Sequence, residues 1–315
     1  MSSDIHKALS EVSKERIQGY VRDMEGLRHA WENYDALEER AKFIEETFRS
    51  FNLKVENQDV PFYGRRYRNI IATMSGSDAE KEYILLGAHY DAAWKSTGAD
   101  DNASGVAVLL EAAGILSRQK LNRTVQCVAF TLEEPQPQTF RFRIGSNHFV
   151  KEAKRSKRKY EAILILECVG YTNKAPRSQD IPPLIRIPVS KTGDFLGVVA
   201  NYRSKSLMKA FHRITSEYVP ELDVISYKVP LSGYIIPQTR WSDHASFWNR
   251  GYPALMLTDT AMFRNPYYHT PYDTYEKLDF AFMANVTKAV VSVILNLDNY
   301  GDQTRPFITF PFSMI

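Results

Sequence analysis

The chain predicts an α/β protein: one domain, residues 1–315, with a central mixed and mostly parallel β-sheet flanked by helices. Three observations carry this. Short apolar runs alternate along the chain with longer stretches of helical period, the pattern of parallel strands joined by helices. Neither an internal repeat nor a Gly/Ser-rich linker divides the chain, so a single domain is expected. Of 315 residues, 44% are apolar, 24% charged and 12% aromatic, with 15 Gly and 15 Pro; that composition provides a sizeable core and excludes collagen-like and disordered classes.

Two helical stretches open the chain, one near 12–31 and one from Asp35 with Leu37, Ala41, Ile44 and Phe48 at helical spacing. They are expected as outer-layer helices within about 5–51. Strand-like runs follow at 53–60, 69–74, 83–88, 125–132, 162–166 and 254–258, separated by helical patterns such as 105–116 and 275–297. The stretch from about 172 to 240 is rich in Pro and loops around one helical segment near 205–218. It reads as an elaboration of the same domain that forms a wall of a cleft. The aromatic tail 307–315 is expected to pack on the body or on a second subunit.

Forty basic and 37 acidic residues leave a net charge of +3, too small a bias to imply a nucleic-acid or membrane-surface partner. The basic run from Lys151 to Lys159 ends a predicted helix, where cations suit the dipole, so no nucleic-acid partner is expected. No run approaches the roughly 18 apolar residues of a membrane span, and no membrane partner is expected. The first residues lack the basic-then-apolar pattern of a secretory signal, so the expected address is cytoplasmic unless maturation removed a leader. Cys127 and Cys168 lie in apolar runs and read as buried thiols of a reducing compartment.

The polar residues mark the chemistry. The run 83–88 leads into His89, Tyr90 and Asp91; 125–132 into Glu133 and Glu134; 162–166 into Glu167; and 254–258 to the loop carrying His269. Asp100 and Asp101 stand in a turn-rich segment just before a helix. Carboxyl ends of strands are where open α/β sheets build their sites, so five segments converge on one crevice. Imidazole and carboxylate donors without thiolate favour Zn²⁺, with Mn²⁺ or Co²⁺ as substitutes, and more than four of them point to two ions. Of the adjacent Glu133 and Glu134, one is expected to bind metal and the other to take a proton from water; their order does not say which. No Gly-x-Ser-x-Gly elbow is present, which disfavours a serine hydrolase.

The blocks His89-Tyr-Asp91, Gly98-Ala-Asp-Asp-Asn-Ala-Ser-Gly105, Glu133-Glu134, Glu167, Ser242-Asp-His244 and His269-Thr-Pro-Tyr-Asp-Thr274 resemble, in order, those of the co-catalytic zinc aminopeptidase family. That family also contains glutamate carboxypeptidase and the glutaminyl cyclases, and the resemblance spans roughly residues 36–298. It implies the zinc-dependent exopeptidase fold and two zinc ions. Asp101 is then the bridging carboxylate, His89 and Glu167 the other ligands of one ion, and Glu134 and His269 those of the second. Glu133 becomes the general base, Tyr268 a hydrogen-bond donor to the developing oxyanion, and a peptide or small amide the substrate. Two departures from the usual blocks stand out. Glu167 occupies a position more often held by aspartate, and residues 135–143 replace a short glycine-rich continuation after Glu134. A branch of uncharacterised bacterial members is similar in both respects.

Asp91 is expected to orient His89. Asp243 and His244 are placed behind the ligands or facing substrate. Ser242 reads equally well as a helix N-cap, Asp100 as a cap before 105, and Asp273 as a cap for the long helix from 275. Trp94, Tyr171, Trp241, Phe263 and Tyr268 suggest an apolar pocket. The expected activity is removal of N-terminal residues from peptides. Its alternatives are a glutaminyl cyclase-like acyl transfer using one zinc, or an inactive relative that serves as a binding domain.

Overall fold

A computed structural model of the chain describes residues 2–300, apart from 137–138, 140, 183–184 and 186–190. The aromatic tail lies outside the described residues. The helix expected near 12–31 is α2 (Lys14–Met24), shorter than expected, and a separate helix α1 (Ser2–Ser10) precedes it. The start of α2 falls at Ser13, whose extended backbone lets its hydroxyl cap the helix by accepting from the Arg16 N–H at 3.2 Å. Helix α3 (Tyr34–Ser50) buries Leu37, Ala41, Ile44 and Phe48, the positions the 3.6-residue period selects.

Among the described residues, eight strands form one sheet: β1 (Lys54–Phe62), β2 (Arg65–Met74), β3 (Tyr83–His89), β4 (Val125–Phe130), β5 (Tyr160–Glu167), β6 (Leu196–Ala200), β7 (Val224–Lys228) and β8 (Ala254–Thr258). Their spatial order is β1-β2-β4-β3-β5-β8-β6-β7. The central four, β4, β3, β5 and β8, run parallel, while β2 and β6 flank them antiparallel. Strands β6 and β7 fall within the stretch expected as a loop-rich wall, so that stretch extends the sheet as well. Five further helices cover the sheet: α4 (Gly105–Leu116), α5 (Ile144–Arg155), α6 (Lys205–Tyr218), α7 (His244–Trp248) and α8 (Phe280–Tyr300).

The parallel strands read as unbroken apolar runs because both faces are covered. Along β5, Ala162, Leu164 and Leu166 enter one core with α4 and α8, while Ile163 and Ile165 enter a second with α5 and α7. The segment 275–297 is not one helix, since Tyr275–Lys277 forms a short 3₁₀ turn before α8 begins. Contrary to expectation, Phe280–Asn299 is long and apolar enough to cross a membrane by length and composition; 72% of it is buried inside the fold, against α4 and α6.

Candidate metal centre

The four parallel strands end side by side, and their carboxyl ends deliver the site. Strand β3 ends on His89; after β4 come Glu133 and Glu134; β5 ends on Glu167; β8 leads through Asp259 to His269. The irregular turn Ala99–Ser104 brings Asp101 in from the side, and it is buried at every position. Several residues leave these strand ends in the left-handed region although they are not glycine: Leu132, Cys168, Thr260 and His269 have φ between 48° and 89°. Backbone held this way gathers at functional sites, where surrounding contacts hold it in place.

Two trios of ligand atoms form, each within 4.8 Å: His89, Asp101 and Glu167, and Asp101, Glu134 and His269. Asp101 belongs to both. Its Oδ1 lies 3.2 Å from His89 Nε2 and its Oδ2 lies 2.9 Å from His269 Nε2. Glu167 Oε1 is 3.5 Å from His89 Nε2, and Glu134 Oε2 is 3.4 Å from His269 Nε2. A third trio joins His89, Glu133 and Glu134. Buried polar atoms normally find partners, yet His89 Nε2, Asp101 Oδ1 and Glu134 Oε1 have no hydrogen bond. Their donor set of nitrogen and carboxylate oxygen, without thiolate, fits a Zn²⁺-like ion.

The charges of the cluster are mutually dependent. Burial opposes ionisation of Asp101, but the close approach of the His269 and His89 imidazoles outweighs it and holds the carboxyl below its usual range. Burial likewise opposes protonation of His269, and Glu134 with Asp101 overcomes it, raising the imidazole to about 11. Burial and then Asp101 push Glu134 up to about 7. Burial alone is the main force that drives Glu133 well above an ordinary glutamate.

Support for these ligands is dense. The Asp91 carboxylate accepts the Glu133 N–H on one oxygen and the Glu134 N–H on the other, both at 3.0 Å. His89 Nδ1 lies 3.1 Å from the Asp91 carbonyl, which leaves Nε2 facing the centre. Asn102 donates to Leu166 O and accepts the Cys168 N–H, fastening the Asp101 turn to the end of β5. The loop that replaces the usual glycine-rich stretch is closed at its base, where the amides of Arg143, Ile144 and Gly145 return to the carbonyls of Glu133, Leu132 and Thr131. A side chain at Gly145 would meet Thr131 O at 2.1 Å, so the close return requires glycine.

Four sequence expectations change. Ser242 is no N-cap; its hydroxyl donates to Glu167 Oε2 at 2.6 Å. Asp100 caps nothing: it accepts from Gly170 N–H and Asn265 Nδ2 and lies beside buried Asp259. Asp273 accepts the N–H groups of Asp100 and Asp101, at 3.0 and 3.1 Å, and so clamps the bridging residue to the His269 loop. His244 has no ligand residue as its hydrogen-bond partner: it is fully buried, its Nε2 pairs with Thr239 O at 2.9 Å and its ring stands edge-on to Trp248. Asp243 is fully buried; burial pushes its carboxyl up to about 7 and the charge of His89 pulls it back.

An apolar cleft with a cavity of about 120 Å³, partly open to solvent, adjoins the ligands. Glu167 and Tyr268 line one end, and Phe195, Trp241, Met256 and Phe263 are among its walls. Trp94 and Tyr171 are not among the lining residues. The Tyr268 ring stacks on the His269 imidazole, 3.8 Å between centroids. Burial, then Asp101 and Glu134, keep its phenol protonated well past the usual range. Both cysteines are buried and free.

The family model for peptidase family M28 matches residues 69–294, a span that holds every one of these ligands. The chain belongs to peptidase family M28. Among curated relatives, the uncharacterized protein YfbL of Escherichia coli K12 is 35% identical over 295 residues, covering 90% of this chain and 88% of its own. A probable leucine aminopeptidase of Arthroderma otae is 29% identical over 237 residues, 71% of this chain and 55% of that protein. In fold, the LapA aminopeptidase of Legionella pneumophila superposes with TM-score 0.74 at 19% identity, over 94% of this chain and 75% of the other. A glutaminyl cyclase of Porphyromonas gingivalis gives 0.67 at 22% identity, over 90% and 98%. The eight-stranded α/β sheet is therefore the M28 aminopeptidase fold.

Proposed function

We propose that this M28 chain is a two-zinc aminopeptidase that releases N-terminal residues with apolar side chains from peptides. One observation carries the reading: Asp101 offers its two oxygens to two different histidines, each of which has a second carboxylate beside it. His89, Asp101 and Glu167 would hold one ion, and Asp101, Glu134 and His269 the other. Bound zinc supplies Lewis acidity, which makes water acidic near neutral pH and polarises a carbonyl. The remaining work falls to the chain. Glu133, buried but outside the Asp101 trios, takes the proton of the attacking water on its carboxylate and returns it to the departing amine. Tyr268 donates its hydroxyl hydrogen to the carbonyl oxygen as charge develops there. The cleft beside Glu167 and Tyr268 receives the side chain of the residue to be released.

Glu133→Gln tests the assignment. It keeps shape and hydrogen-bonding reach, so metal content should stay and turnover of leucyl- or phenylalanyl-4-nitroanilide should fall by about 10²–10⁴. Glu134→Gln should lose zinc instead. The reverse pattern would exchange the two roles, and no effect of either on any amide substrate would refute the peptidase reading. A wild type that never exceeds one zinc per chain after zinc-saturated dialysis moves the reading to the cyclase-like reaction on N-terminal glutamine.

A further inference from the structure

Arg28 lies between α2 and α3, ahead of the stretch that matches family M28. It is 0% exposed, a rare position for an arginine. Its guanidinium meets backbone carbonyls rather than a carboxylate: Nε donates to Tyr90 O at 2.9 Å, Nη1 to Gly26 O at 3.1 Å and Thr97 O at 2.8 Å, and Nη2 to Gly98 O at 2.6 Å. Tyr90 sits between His89 and Asp91, and Thr97 and Gly98 lead into the Asp101 turn. The main chain reinforces the link, with Ala92 N–H on Arg28 O at 3.4 Å and Gly26 N–H on Thr97 O at 2.9 Å. Gly98 has φ +61°, and a side chain there would meet Asp101 O at 2.5 Å and Ala92 Cβ and Arg28 Nη2 at 2.8 Å, so the turn, Ala92 and the guanidinium are packed closely together.

The setting explains why a charged group is tolerated here. Burial is the largest influence on Arg28 and lowers it to about 10, still protonated at neutral pH, while Asp273, Asp101 and Asp91 stabilise its charge. A planar fork with five donors can span four carbonyls on three chain segments; the ammonium of lysine, three donors at one point, cannot.

We propose that Arg28 is a positioning residue of the metal centre, holding the strand end that carries His89 against the turn that carries Asp101. This rests on the zinc reading above. Two effects of the residue oppose each other. Its charge disfavours further cations nearby, and its hydrogen bonds fix the ligands in place. Position prevails, because the guanidinium touches the backbone flanking the ligands and none of their carboxylates. Arg28→Lys keeps the charge and loses the fork, so it isolates the positional effect.

The experiment measures Zn²⁺ affinity of the full chain by competition with a chromogenic chelator, the visible spectrum of the Co²⁺-loaded protein, and thermal unfolding without metal. Arg28→Lys and Arg28→Met should each bind zinc about 10–100-fold more weakly, the range for lost support behind a ligand, with an altered Co²⁺ spectrum. Arg16→Met is the comparison: it breaks the Arg16–Glu111 pair, 2.7 Å long, that ties α2 to α4 away from the site. It should lower the melting temperature and leave zinc affinity unchanged. Wild-type zinc affinity in both Arg28 variants overturns the proposal, as does equal weakening by Arg16→Met or failure of both Arg28 variants to fold. A wild type that binds neither Zn²⁺ nor Co²⁺ overturns the metal-centre reading instead.

Discussion

Replacing Asp91 by asparagine tests how far the two glutamates depend on the group behind them. Asp91 is fully buried, and its two oxygens each take one backbone N–H, those of Glu133 and Glu134. Asparagine has one acceptor oxygen and one NH₂. Whichever way the amide turns, one glutamate N–H faces another N–H. A hydrogen bond to a charged group contributes about 1.5–3 kcal/mol and a buried unsatisfied donor costs about 1–3 kcal/mol. Partial relaxation of the loop keeps the total near the low end, about 3 kcal/mol, which corresponds to about 100-fold if the metal centre feels all of it. The expected outcome is zinc affinity reduced between about 10-fold and 100-fold, together with a lower melting temperature of the metal-free protein. Chelator competition and calorimetry read the two effects separately. Wild-type affinity and wild-type melting in Asp91→Asn would show that the carboxylate does not support Glu133 and Glu134, and would refute the reasoning.

Three further outcomes follow from the same geometry. Asp101→Asn should lower the occupancy of both ions whereas His269→Ala should empty chiefly one, because Asp101 places one oxygen within 3.2 Å of His89 Nε2 and the other within 2.9 Å of His269 Nε2; elemental analysis of the two proteins decides. Tyr268→Phe should reduce kcat by about 10²–10³ with little change in KM, the size expected when one donor to a developing oxyanion is lost, and unchanged kcat would leave the tyrosine a wall of the cleft. Burial depresses His244 to about 3, so between pH 6.5 and 3 the unfolded chain binds a proton that the folded one does not. Its contribution to stability is whole above 6.5 and is lost as pH falls, at about 1.4 kcal/mol per pH unit; urea midpoints of His244→Gln should show a shallower acid slope than wild type, and identical slopes would contradict this.

The central strands and the ligand blocks were legible because burial on both faces writes an unbroken apolar run, and the run's end is where a charged residue becomes conspicuous. Strands β6 and β7 were not. Each has five residues, and those of β7 are partly buried or, at Lys228, exposed, so neither periodicity nor apolar density separates them from loop. Among the residues behind the ligands, Asp91 announced itself by lying two positions from His89. Asp273 did not, because an acid before a threonine and a helix has a common local use, and its real partners are more than 170 residues away. Arg28 carries no local signal at all: its role is set by four carbonyls that only the folded chain brings together. His244 gave no hint of its partners either, since the Thr239 carbonyl and the Trp248 ring meet it only once 237–248 has folded.

The ligand atoms are contributed by strand ends and loops spread from residue 89 to residue 269. An unfolded chain therefore has nothing resembling the centre, and an ion that occupies it acts as a clasp on the whole sheet. Whatever binds only the folded state stabilises it by mass action, about 2.7 kcal/mol at a hundredfold excess over the dissociation constant. Availability of the metal would then set how long the protein survives heat and proteolysis as well as how fast it works, and chelation would shorten its lifetime even with no substrate present.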